Sequence, residues 1–137
     1  MKKIVLISCV KSKLDHPAKA KDLYISTLFQ SFLEYARRLK PDEIYILSAK
    51  YGLLELDQKI APYEMTLNTM SVAEKRDWSH KVLDSLRQKA DLQSDLFIFL
   101  AGINYRKYLL PELKHYEVPL EGLSFGQQLH ELKRRVS

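Results

Sequence analysis

Four short apolar runs along the chain have the composition of β-strands. They are rich in branched aliphatic side chains and cover residues 3–9, 43–48, 96–101 and 116–120. Residues 4–7 of the first run and all of the third run are apolar, which is typical of parallel strands that helices cover on both faces. The fourth run has the weakest pattern. Together the four runs predict a sheet buried inside the protein.

Helical patterns separate these strands. Apolar residues recur at spacings of three and four over residues 28–39, Ser26 is placed to cap the start, and Pro41 closes the segment. Residues 71–74 read Ser-Val-Ala-Glu, which has the spacing of a capping box. They predict a second helix that continues towards Ala90.

Two further helical segments complete the pattern. One begins near Asn104 and is bent or restarted at Pro111, and the other covers about residues 126–135. Right-handed crossovers between alternating strands and helices predict an α/β fold, a three-layer α/β/α sandwich. Its sheet is expected to be mainly parallel and four-stranded, in the order 2-1-3-4. Residues 51–70 form an unusually long connection, of a length that is often functional.

Length and composition fit one domain over residues 1–137. With 46% hydrophobic residues the chain can build one ordinary core, and no repeat or Gly/Ser linker divides it. No apolar stretch approaches the roughly 20 residues that cross a bilayer, so no membrane partner is expected. The single cysteine, Cys9, excludes an internal disulfide and fits a reducing, cytoplasmic location. We expect Cys9 to be a buried, inert thiol.

The residues best suited to bind a ligand or take part in a reaction follow the carboxyl ends of the predicted parallel strands. Ligands of open α/β sheets bind at this edge, where the crossovers change direction. Ammonium groups there can bind phosphate or carboxylate, and the hydroxyls and the amide can bind a sugar. The expected residues are Ser8, Lys11, Lys13, Ser48, Lys50 and Asn104. The net charge of +5 also favours an anionic ligand, but only modestly.

Aromatic residues and one carboxylate extend this candidate site. Four tyrosines in or beside the same turns are predicted to stack on a flat ligand: Tyr24, Tyr51, Tyr63 and Tyr105. Glu121 follows the fourth strand and is the candidate catalytic acid or base. The glycine-rich motifs of ATP and dinucleotide sites are absent, and the four histidines show no zinc spacing. No metal and no cofactor is therefore predicted.

Several blocks of the sequence together resemble a known family. They are residues 6–15, 21–24, 47–54, 60–65, 99–105 and 119–123. In order and spacing they resemble small bacterial proteins of unknown function that are distantly related to the YaaA peroxide-stress family. The resemblance covers almost the whole chain and implies involvement with DNA or its bases. It also implies a pocket like those of glycosidases or transglycosylases, by analogy of fold.

Two classes of function follow from the residues. The first is a pocket for a nucleotide or nucleobase, free or within DNA or RNA, with glycosidase-like processing as its extension. The alternative is a non-enzymatic module that binds nucleic acid through a basic surface, with a steep dependence on salt. That surface would comprise Arg37, Arg38, Lys40, Lys133, Arg134 and Arg135. A protein-interaction subunit is a further alternative, and the oligomeric state stays open.

Overall fold

The computed structural model describes residues 1–8 and 13–136. Within these residues the chain forms seven strands, five α-helices and two 3₁₀ turns, the latter over Leu67–Thr69 and Leu110–Glu112. In chain order the strands and α-helices are β1 (Lys3–Ser8), β2 (Ala18–Lys19), α1 (Ala20–Leu23), α2 (Thr27–Arg38), β3 (Glu43–Ser48), β4 (Gly52–Glu55), β5 (Lys59–Ile60), α3 (Val72–Arg87), β6 (Leu96–Leu100), α4 (Ile103–Arg106), β7 (His115–Glu117) and α5 (Phe125–Val136).

The main sheet confirms the α/β class but has five strands, so the prediction of four was wrong. Its order is β4-β3-β1-β6-β7. The four strands predicted from the sequence are β3, β1, β6 and β7, and all three of their pairings are parallel. The additional strand, β4, folds back antiparallel onto β3 and pairs Gly52 with Ser48. Gly52 has a φ of +74°, a conformation that side chains disfavour, and this allows the tight reversal.

β1 lies at the centre of the sheet, between β3 and β6. Residues 4–7 are completely buried, so layers of structure cover both faces of this strand. The crossover from β1 to β3 and the crossover from β3 to β6 run in opposite directions across the sheet. Right-handed connections therefore place α2 and α3 on opposite faces, and α5 packs against α2. The connections change direction between β1 and β6, which makes the carboxyl ends of these strands the expected ligand crevice.

The long connection over residues 51–70 is folded. Besides β4 it contains β5, which pairs antiparallel with β2, Ala18 opposite Ile60. The Leu67–Thr69 turn follows, and then the capping box predicted for α3: Ser71 Oγ accepts from the Glu74 N–H at 3.2 Å, and the Glu74 carboxylate accepts from the Ser71 N–H at 3.0 Å. The β2–β5 ladder thus joins this connection to residues 18–19, directly before α1.

The end of α2 offers a simple stability test. Lys40 follows the C-cap residue Leu39 and has a φ of +51°, a left-handed conformation in which a Cβ atom is strained. We expect Lys40→Gly to raise the free energy of unfolding by about 1 kcal/mol in urea titrations, because glycine adopts this conformation without strain. Lys40→Ala is the matched control, which keeps the Cβ atom and should bring no such gain. A glycine variant less stable than the wild type would contradict this account of the turn.

Candidate functional site

The ends of β1 and β6 are joined where the crevice is expected. Ser8 Oγ accepts a hydrogen bond from the Gly102 N–H at 3.3 Å, and the Ser8 side chain is buried. This bond ties the last residue of β1 to the turn that follows β6. Ser8 thus fixes the spacing of the two strand ends on which the candidate site is built.

The turn after β3 is anchored through Ser48, which is completely buried. The Ser48 hydroxyl accepts from the Tyr51 N–H at 3.1 Å and donates to the Tyr63 hydroxyl at 2.8 Å. The Ser48 carbonyl accepts from Trp78 Nε1 on α3, also at 2.8 Å. One serine therefore joins its own turn, the segment after β5 and helix α3.

Tyr63 is the hub of an aromatic and cationic cluster. Its hydroxyl shares a 2.8 Å hydrogen bond with the hydroxyl of Tyr24, and its ring meets that of Tyr51 edge to face at 5.5 Å. Lys13 Nζ lies 4.7 Å from the centre of the Tyr63 ring, and Lys50 Nζ lies 5.4 Å from the centre of the Tyr51 ring. Both distances are within the range of cation–π attraction. Two ammonium groups thus surround one pair of tyrosines.

Backbone contacts hold Lys13 in this position. Lys13 forms an antiparallel bridge with Tyr24, and the Leu14 N–H donates to the Leu23 carbonyl at 2.9 Å. Lys13 Nζ also lies 5.8 Å from the centre of the Tyr24 ring. Because the Tyr24 side chain is only 1% exposed, it supports Lys13 from the interior, whereas Lys13 itself reaches the surface.

A cleft of about 730 Å³ opens beside this cluster. Its apolar lining comes from Leu14, Pro62 and Met65, of which Met65 is 43% exposed. Its polar side chains carry an ammonium, a hydroxyl, an amide and two carboxylates, from Lys13, Thr66, Asn68, Asp15 and Glu64. This volume falls within the range of cavities that hold drug-sized ligands.

Tyr105 forms the wall of the cleft on the side of β6. Its hydroxyl accepts from the Leu67 N–H at 3.4 Å and lies 3.4 Å from Thr66 Oγ1. Its ring packs edge to face against Trp78 at 5.7 Å. The neighbouring Asn104 donates from Nδ2 to Asn68 Oδ1 at 2.8 Å. Residues 66–68 are therefore fastened to α4, and they form the rim opposite Lys13.

Charge in the cleft is mixed. The described lining has one lysine, Lys13, and two carboxylates, Asp15 and Glu64. The side-chain hydrogen bond with His16 Nδ1, 2.9 Å long, lowers the pKa of the Asp15 carboxyl, and the hydrogen bond from the Asp15 N–H lowers it further. Asp15 is fully exposed and is an ionised acceptor at neutral pH. The cleft thus offers acceptors as well as a cation.

The predicted site residues fall into three groups. Lys13, Tyr63 and Tyr105 line the cleft, whereas Ser8, Tyr24 and Ser48 are buried and hold its walls together. Lys50, Tyr51 and Asn104 do not line the cleft, but Tyr51 packs against its lining residue Tyr63, Lys50 lies over the Tyr51 ring, and Asn104 donates to its lining residue Asn68. Lys11 and Cys9 lie outside the described residues, so their predicted roles stay predictions.

Glu121 is separated from the other candidates. It lines a second cavity, of about 210 Å³, that shares no lining residue with the cleft. Helix α4 contributes to both: Tyr105 faces the cleft, and Arg106 lines the second cavity. The catalytic role of Glu121 stays a prediction, and Glu121 is not among the residues that line the cleft.

The sequence analysis predicts that the connection over residues 51–70 is functional but does not single out the rim residues Met65, Thr66 and Asn68 as ligand contacts. Thr66 Oγ1 accepts from the Asn68 N–H at 3.2 Å, a turn that threonine commonly stabilises. The Thr66-Leu67-Asn68 pattern is the sequence signal from which this turn could have been predicted.

The described part of the chain has neither a candidate metal site nor a candidate membrane-spanning helix. Residues 1–8 and 13–136 contain no group of three or more His, Cys, Asp or Glu side chains that could hold a metal ion. No helix within these ranges has the length and apolar character needed to span a bilayer.

Comparison with known proteins gives a family but no activity. The profile of a family of unknown function, DUF6884, matches residues 4–134. The comparison with curated proteins gave no match. Neither result links the chain to the YaaA proteins, so that resemblance stays a prediction.

Proposed function

Because the chain belongs to DUF6884, a family of unknown function, we propose from the geometry of the site that the cleft binds a nucleoside or nucleotide. The observation that carries this proposal is the combination found in one cleft of about 730 Å³: an apolar wall, hydrogen-bonding groups and an ammonium group held over a tyrosine ring. The sequence resemblance to YaaA-related proteins, which are associated with DNA, points in the same direction.

The base is assigned to the apolar part of the cleft. Leu14, Pro62 and Met65 supply a surface against which a flat ring can lie, and Thr66 and Asn68 supply polar groups for its edge. Tyr63 and Tyr105 are 8% and 6% exposed, so each adds a narrow strip of ring to the wall instead of a free stacking face. In this arrangement the base binds by packing against the apolar side chains, and the polar groups of residues 66–68 orient it.

The charged groups divide the remaining parts of the ligand. Asp15 and Glu64 are acceptors suited to ribose hydroxyls or a base amino group. A phosphate is repelled by these carboxylates and would lie at the lysine end, beside Lys13 and Lys50, where the cations surround the Tyr51–Tyr63 pair. The proposed ligand is therefore oriented by charge, with its base towards Asn68 and its anionic group towards Lys13.

The test uses Trp78, the only tryptophan, as a built-in reporter, because its ring contacts the cleft wall at Tyr105. We expect nucleoside 5′-monophosphates to change the Trp78 fluorescence saturably. Lys13→Ala should weaken binding about tenfold, a loss of about 1.4 kcal/mol, because the phosphate loses its nearest cation. The matched control is Lys81→Ala, which removes an exposed lysine on α3 and should leave the affinity unchanged.

A second titration, with the corresponding nucleosides, shows whether Lys13 contacts the phosphate. The monophosphate should bind the wild type more tightly than the nucleoside does, and this difference should shrink in Lys13→Ala. The proposal would be overturned if no nucleoside or nucleotide gave a saturable signal at millimolar concentration. Equal affinities of Lys13→Ala and wild type for the monophosphate would remove Lys13 from the site.

The alternative, a basic surface for nucleic acid, is less well supported. Packing of α2 against α5 does bring its two basic segments together. However, Arg134 and Arg135 both donate to the Glu131 carboxylate, and these hydrogen bonds lower the pKa of Glu131 to about 2. Arg38 is paired with Glu34 at 3.5 Å. Two carboxylates, Glu34 and Glu131, are thus paired with three of the six cations, and they offset part of the positive charge that would attract phosphates.

A further inference from the structure

The second cavity contains two opposite charges that do not pair. Arg106 and Glu121 both line this space of about 210 Å³. Among the described residues, neither side chain has an oppositely charged group within the 4.0 Å of an ion pair. A guanidinium and a carboxylate that share a cavity without meeting provide binding partners for a molecule that carries both charges.

Two of the polar side chains of this cavity are held in place. Arg106 Nη1 donates to the Ala101 carbonyl at 2.7 Å, which fixes the guanidinium at the end of β6. Gln128 Nε2 donates to the Leu123 carbonyl at 3.0 Å, which leaves its amide oxygen as an acceptor. Because these groups are ordered before binding, a ligand has less side-chain entropy to remove.

The turn that presents Glu121 is also constrained. The Glu121 N–H donates to the Val118 carbonyl at 3.1 Å, and Gly122 has a φ of +80°. The lining also includes the apolar side chains of Val118, Leu120 and Leu123. The cavity therefore combines a cation, an anion and an apolar surface within a small volume.

We propose that this cavity binds a free α-amino acid with a small apolar side chain. The α-carboxylate would contact Arg106, the ammonium group would contact Glu121 and Gln128 Oε1, and the side chain would lie against Val118 and Leu123. The volume is below the roughly 300–1,000 Å³ of sites for drug-sized ligands, which fits a molecule of this size. The inference does not depend on nucleotide binding in the cleft, because the two spaces share no lining residue.

The experiment measures binding of L-leucine to the full chain by saturation-transfer NMR and calorimetry. Two analogues dissect the charges: 4-methylpentanoate lacks the ammonium group, and 3-methylbutylamine lacks the carboxylate. The wild type should bind leucine more tightly than either analogue. Glu121→Gln should weaken leucine binding at least about tenfold but should not weaken the binding of 4-methylpentanoate, which has no ammonium group for Glu121 to contact.

The controls separate this site from the cleft and from general surface effects. Glu112→Gln removes an exposed carboxylate elsewhere and should leave leucine binding unchanged. An excess of a nucleoside monophosphate should not displace leucine, whether or not the cleft binds nucleotides. No saturable leucine binding at millimolar concentration, undiminished binding to Glu121→Gln, or competitive displacement by a nucleotide would each overturn the proposal.

Discussion

Replacing Trp78 by alanine should lower the free energy of unfolding by about 3–5 kcal/mol, the usual range for removing a large buried aromatic side chain. Trp78 is 7% exposed and packs against Tyr105, and its indole N–H donates to the Ser48 carbonyl at 2.8 Å. It therefore joins α3 to both the β3 turn and the β6 turn. Loss of this side chain should loosen two walls of the cleft at once.

Trp78→Phe separates packing from hydrogen bonding. The phenyl ring keeps much of the contact with Tyr105 but leaves the Ser48 carbonyl without its donor, a change expected to account for about 1–3 kcal/mol of the loss. Urea unfolding followed by circular dichroism measures both variants without relying on tryptophan fluorescence. If Trp78→Ala were as stable as the wild type, Trp78 would not be the support of the cleft.

Tyr63→Phe should lower the free energy of unfolding by about 1–3 kcal/mol. It should also weaken nucleotide binding. The change removes one oxygen atom, to which the Ser48 hydroxyl donates and with which the Tyr24 hydroxyl is hydrogen-bonded, both at 2.8 Å. A buried Ser48 hydroxyl would then lose its acceptor, which is more costly than the loss of an exposed bond. The matched control is Tyr116→Phe, at a side chain that is 46% exposed on the edge strand β7, where the effect should stay within about 0.5 kcal/mol.

A double-mutant cycle with Ser48→Ala tests whether the two hydroxyls act together. Since each single variant breaks the same hydrogen bond, the double variant should be less destabilised than the sum of the two single variants. Strict additivity in urea titrations would show that Ser48 and Tyr63 are energetically independent, contrary to the hydrogen-bond chain described above.

The sequence predicted the central part of the fold because its signals there are local. The unbroken apolar stretches of β1 and β6 are stable only when both faces are covered, and the Ser71–Glu74 pair marks a helix start by its own hydrogen bonds. β4 was missed because it has only four residues and directly follows a turn. Its pairing depends on Gly52 adopting a positive φ, which no apolar period reveals.

The candidate site was predicted less completely for a related reason. Lys13 and Tyr63 were both identified, but they meet through the β2–β5 ladder, which has two residues in each strand. Such short pairings carry almost no sequence signal. Glu121 was grouped with the other residues because it also follows a strand. On helix α4, Tyr105 lines the cleft and Arg106 lines the second cavity. Which space each helical residue faces is seen only in the structure.

The proposed nucleoside or nucleotide site is the cleft between Lys13 and Asn68. A titration of the ¹⁵N-labelled protein with a nucleoside 5′-monophosphate, followed by amide chemical shifts, tests this site directly. We expect the largest saturable changes at Lys13 and over residues 64–68, with little change on α2 and α5. Changes confined to the basic residues of α2 and α5 and abolished by added salt, or no changes at all, would contradict it.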